Sequence, residues 1–193
     1  MEFYKVIDKR KSIREFESKK VPKSILIKLV KDAVKAPSAA NSQPWEFYVI
    51  YSKKKRDKIA EILRKALKIQ AKDFKKLSKQ IIKAAYDFYA NIGHCPHIIL
   101  IYTPRIEKNI MMNRFLSVAA AIENLMLSAA DKGLGTCWIG TFKTSKGLEK
   151  EVNSYLKIKN KELVAGILVG YPKKGYKPLI REKKKLKKVL FWR

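Results

Sequence analysis

"NRFLSVAAAIENLMLSAADKGLGTCWIG", residues 113–140, decides the fold. Through Lys132 it is apolar around most of the circumference a helix presents, so a helix of this length must be buried on nearly all sides. Gly133 and Gly135 stop it, because glycine readily takes the left-handed conformation of a C-terminal cap. "TCWIG" then reads as a loop or a short strand. In a chain of 193 residues, a helix of this kind runs through the core or a dimer interface.

Strands have to pack around it. "HIILIY", residues 97–102, is a continuous apolar run of strand length, so it belongs at the centre of a sheet with both faces buried. "ELVAGILVGYP", residues 162–172, closed by Gly170 and Pro172, and "WEFYVIYS", residues 45–52, supply further strands. Helical spacing is read over residues 2–9 and from Pro22 to Lys35, and two lysine-rich helices over 53–68 and 72–91. The tail from Lys173 to Arg193 is basic and then apolar, a pattern suited to an arm packing on another surface. With no repeat, low-complexity linker or internal boundary, residues 1–193 are expected to form one domain.

Bulk composition narrows the function. A hydrophobic content of 47% excludes disorder. The formal charge of +27 arises from 44 Lys+Arg against 17 Asp+Glu and predicts a surface that attracts anions. Most of the lysines are scattered singly or in short runs and read as a solvated surface. No stretch has the length of a membrane span and no leader is apparent, so a cytoplasmic protein is expected. Two cysteines, Cys95 and Cys137, suit a reducing compartment.

Two short stretches carry binding chemistry. In "RKSIR", residues 10–14, an extended backbone points Arg10, Ser12 and Arg14 the same way, giving two guanidinium forks and a hydroxyl for a phosphate; the alternative is a solvated basic turn. In "APSAANSQPW", residues 36–45, Ser38, Asn41 and Gln43 offer donors and acceptors for an edge-on heterocycle between the stiff Pro37 and Pro44; the alternative is an ordinary helix-to-strand connection. Trp45 reads as core or interface filler. "HCPH", residues 94–97, has no second ligand cluster to complete a metal site, so a structural role and no metal are expected.

Taken with "GLGTCWIG", these motifs make the chain resemble the nitroreductase family over nearly its whole length. "RKSIREF" looks like the family's phosphate motif, "APSAANSQPWEF" its signature, and "VAGILVGYP" its late strand. The resemblance implies an α+β, nitroreductase-like fold: a central, mostly antiparallel sheet flanked by helices, a long buried central helix, and a domain completed by homodimerisation. It implies FMN at the interface, contacted by Arg10, Lys11, Ser12 and Arg14 of one chain and by Pro37, Ser38, Asn41 and Gln43 of the other. The backbone at Ile139, Gly140 and Thr141 would face the flavin edge, and Arg181 with Lys183 would reach the phosphate.

No catalytic side chain is implied. NADPH or NADH would donate hydride to the flavin N5, and a nitroaromatic, quinone or free flavin would take it up in a ping-pong cycle. The positive surface favours NADPH. Two other readings stand beside this one. The first is a basic nucleic-acid-binding protein, which carries charge but no recognition signature. The second is a specialised flavin-destroying, dehalogenating or peptide-oxidising member of the same fold.

Overall fold

The computed structural model describes residues 2–70, 79–105, 108–145 and 147–178. Among these residues seven α-helices and four strands follow one another as α1 (Phe3–Lys9), α2 (Lys23–Ala33), β1 (Glu46–Ile50), α3 (Lys53–Gln70), α4 (Lys79–Asn91), β2 (His97–Pro104), α5 (Lys108–Asp131), β3 (Gly135–Ile139), α6 (Thr141–Thr144), α7 (Leu148–Leu156) and β4 (Lys161–Gly170).

The strands form one sheet in the order β1-β2-β4-β3, every adjacent pair antiparallel. β2 is buried from His97 to Thr103 because residues facing either way meet a hydrophobic layer. On one face Ile98, Leu100 and Tyr102 pack with Ile59, Ile62 and Leu63 of α3. On the other, Ile99 and Ile101 pack with Leu26 and Leu29 of α2 and with Val118, Ile122 and Leu125 of α5. The two-sided burial read from "HIILIY" is therefore realised, and the fold is α+β. No helix among the described residues is long and apolar enough to cross a membrane.

Within one chain α5 is less enclosed than its composition suggests. Val118, Ala121, Ile122, Leu125, Met126 and Ala129 are buried, whereas Met112 and Leu116 are 66% and 61% exposed. They are joined at the surface by Phe3 and Tyr4 of α1, 64% and 80% exposed. Helices α6 and α7 are absent from the sequence reading. Leu148, Val152 and Leu156 of α7 follow an i, i+4, i+8 spacing that marks its inner face, the first two being fully buried.

Candidate functional site

The segment after α1 forms one wall of the site. Arg10 caps α1 by donating its backbone N–H to Val6 O, and the chain then runs extended. Ser12 pairs with Thr136 of β3 in a parallel bridge, Ile13 N donates to Thr136 O at 2.9 Å, and Phe16 N donates to Gly93 O at 2.8 Å. Ile13 is buried against Gly135, where an added Cβ would lie 2.7 Å from Ile13 Cγ1. Alternation then sends Ser12 and Arg14 away from Ile13. Lys11 and Ser12 are exposed and Arg14 is half-buried.

Arg14 is the unusual member. Arg10 is already engaged, its Nε 3.2 Å from Glu123 of α5. Arg14 makes no ion pair with any described residue, although a partly desolvated guanidinium favours a carboxylate or phosphate partner. Its charge is felt by two groups nearby, the buried Cys137 and the half-buried Tyr89. Burial pushes the Cys137 thiol up and Arg14 opposes the shift. Burial likewise raises the Tyr89 hydroxyl, against a hydrogen bond with Thr141 and the charge of Arg14.

β3 brings the second group beside the first. Ile139 is buried at its end, Gly140 follows, and Thr141 opens α6 with its hydroxyl bonded to the Tyr89 hydroxyl of α4. A Cβ at Gly140 would meet only Trp138 Nε1, at 4.0 Å, so the backbone there is open to a flat molecule. The structure thus gathers Arg10–Arg14 and Ile139–Thr141 at one edge of the sheet. It also adds Tyr89, which no local signal could reveal because it lies on another helix, 52 residues from Thr141.

The third group stands elsewhere. In the loop before β1, Ala39–Asn41 make one tight turn, and Ala40, Asn41 and Gln43 hold φ of 51°, 51° and 42°. Non-glycine residues rarely adopt this left-handed region, so the surroundings must impose it. Ser38 Oγ accepts from Gln43 N at 3.0 Å, Ala39 N donates to Ser117 Oγ of α5 at 3.2 Å, and Gln43 Nε2 donates to Asn41 Oδ1 at 3.2 Å. Pro37, Asn41 and Gln43 remain exposed, while Trp45 is buried as filler.

This loop leads into β1, whereas Ser12 extends the sheet beyond β3 at the opposite edge. Four strand spacings of about 4.8 Å separate the two edges, roughly 19 Å. Among the described residues no hydrogen bond or ion pair joins the loop to either of the other groups. Arg181 and Lys183 lie outside the described residues.

Of "HCPH", the second histidine is packed into the core. His97 is fully buried, stacks on Tyr51 at 4.7 Å and accepts Val21 N–H at Nε2, 3.0 Å away. Burial pulls its pKa down to about 4, with Lys20 adding to the shift. An unfolded histidine protonates near pH 6.5, so this neutral ring contributes stability above that pH and loses it as pH falls toward 4. The urea midpoint should fall across that window, and less steeply in His97→Gln. No cluster among the described residues could hold a metal ion.

The nitroreductase family model matches residues 7–171. The chain is 28% identical over 188 residues to iodotyrosine deiodinase 1 of Sus scrofa, which covers 90% of this chain and 62% of that protein, less than two thirds of the relative's length. It is similar in fold to a nitroreductase with bound FMN from Bacteroides fragilis, with TM-score 0.78, 21% identity and 100% of both chains covered. It is also similar to the FMN-dependent nitroreductase NfnB of Mycobacterium smegmatis in complex with NADPH, with TM-score 0.70 and 21% identity over 88% of this chain and 87% of that one. Because the match runs from within the first helix to just past the last strand, and so takes in all three groups of the site, the chain belongs to the nitroreductase family.

Proposed function

We propose that the protein is an FMN-dependent oxidoreductase that uses NAD(P)H to reduce small acceptors, working as a homodimer with each flavin held between two chains. The half-buried Arg14, which has no ion-pair partner among the described residues, carries the reading, since it needs an anion and stands beside the open backbone at Gly140. When bound, FMN supplies the hydride acceptance and donation of the cycle.

The chain's own residues bind and orient. Arg14 and Arg10 place positive charge where a phosphate or an electron-rich ring edge would lie, Lys11 adds to it, and the Ser12 hydroxyl donates a hydrogen bond. Gly140 lets the backbone of Ile139 and Thr141 approach a ring closely. The Tyr89–Thr141 hydroxyl pair fixes that turn against α4. Pro37, Ser38, Asn41 and Gln43 reach the site from the second chain, which explains why two exposed, preorganised groups sit on opposite edges of one sheet. The exposed apolar residues of α1 and α5 give such a dimer its contact surface.

The deiodinase named among the relatives favours a second use of the same site, reductive dehalogenation, in which a carbon–halogen bond is replaced by carbon–hydrogen and halide leaves. The test is the visible spectrum of the FMN-loaded protein under anaerobic NADPH. Bleaching, followed by recovery on adding a nitroaromatic or a quinone, supports the proposal. Recovery only with an iodinated phenol, with iodide released, supports dehalogenation. A protein that takes up no FMN contradicts both.

A further inference from the structure

A cleft of about 570 Å³ opens between α3, the segment around Lys20, and the Asn91–Pro96 connection ahead of β2. It shares no residue with the flavin reading. Its charged lining is Lys20, Lys53, Arg56 and Arg64 against one carboxylate, Asp57. A second, shallower cleft continues it along α3 and shares Lys53, Asp57 and Arg64.

Asp57 does not neutralise this surface. It is held by Lys53 at 2.7 Å and by Arg56 Nε at 2.9 Å. Neither Arg64 nor Lys20 has an ion pair with a described residue, and the Lys20 Nζ lies over an aromatic face, 5.4 Å from the Tyr51 ring centroid. Lys53, Lys54, Lys55 and Arg56 crowd the first turn of α3, where no acidic residue stands. Cations at the positive end of a helix are opposed by its dipole, and an anion in the cleft would offset that repulsion.

Two parts of the lining are fixed. Tyr51 is stacked on buried His97 at 4.7 Å, and the Arg56 guanidinium is also tied to Cys95 O at 3.4 Å. Arg56 is thereby held in place, whereas Lys20, Lys53 and Arg64 are exposed and close on a ligand from the rim. Lys53 and Arg64 share one face of α3 eleven residues apart, about 16 Å along the axis at about 1.5 Å per residue. A single phosphate is too small to meet both, whereas a chain of linked phosphates can run between them with Lys20 closing from the opposite wall.

We infer that this cleft binds the phosphoanhydride chain of a soluble polyphosphate, either inorganic or carried by a nucleotide. The inference stands apart from the flavin reading. Calorimetric titration of the FMN-saturated protein with sodium tripolyphosphate at about 0.15 M salt, where exposed charges are screened beyond about 8 Å, tests it. One saturable site per chain is expected, weakened at least tenfold in Lys20→Ala/Arg64→Ala and unchanged in Lys28→Ala/Lys31→Ala, with the flavin spectrum intact in both variants. Tighter binding of ATP than of tripolyphosphate assigns the site to nucleotides, and equal binding to the inorganic chain. The inference is overturned by no saturable binding, by equal weakening in both double variants, or by loss of binding in Arg14→Ala instead. Binding of a 20-nucleotide single strand with tripolyphosphate silent also overturns it.

Discussion

Arg14→Ala is expected to raise the FMN dissociation constant about tenfold to a hundredfold, roughly 1.4 to 3 kcal/mol, while the flavin-free protein melts at or slightly above the wild-type temperature. The two halves of this expectation come from one observation. A half-buried guanidinium with no carboxylate among the described residues has surrendered hydration without gaining an ion pair, so in the empty protein it does not stabilise the fold. In the loaded protein it gains a charge-assisted partner. A structural arginine behaves the opposite way, its loss lowering the melting temperature and leaving the flavin in place. Fluorescence titration with FMN and thermal melts of the flavin-free protein separate the two, and a variant that melts lower yet binds flavin normally removes Arg14 from the site.

Gly93→Ala is expected to be the most damaging single methyl in the molecule. Gly93 has φ of +62°, and a Cβ built on it lies 2.0 Å from Arg14 O and 2.7 Å from Arg14 C. Both are backbone atoms in a segment pinned by the Phe16 N–H bond to Gly93 O, so neither side can yield without breaking that pairing. A loss of at least about 3 kcal/mol follows, a fall of roughly 10 °C in melting temperature for a chain of this size. Gly133→Ala is the control. Its φ of +70° is as strained, but a Cβ there meets nothing within 4 Å, so its cost is the left-handed conformation alone, about 1–2 kcal/mol. Equal melting temperatures for the two variants would show that the close approach of Gly93 to Arg14 does not support the flavin wall.

The parts of the fold legible in the sequence were those where one physical pattern dominates. "HIILIY" could only be a central strand because polar residues interrupt neither of its faces, and the glycines after Lys132 marked the end of α5 at Asp131. α7 escaped because lysines and glutamates surround its Leu148–Val152–Leu156 stripe, and α6 is a single turn.

Half of the proposed flavin wall was readable, since the alternation in "RKSIR" survives in the bridge of Ser12 to Thr136. What could not be read were contacts distant in sequence. Tyr89 meets Thr141, Gly93 sits under Arg14, and the 36–45 loop stands across the sheet from the segment it was expected to assist. The proposed second chain is the account offered for that last separation.

The most direct test of a site shared between two chains is FMN binding to a heterodimer in which one chain carries Arg14→Ala and the other Ser38→Ala/Asn41→Gly, the glycine preserving the left-handed turn at 41. If each flavin takes Arg14 from one chain and the loop from the other, one site of the heterodimer carries both defects and its neighbour carries none. The expected titration therefore shows one FMN per dimer bound with wild-type affinity. Two weakened sites, each resembling one parent variant and neither wild-type, would place the whole site within a single chain and contradict the shared arrangement.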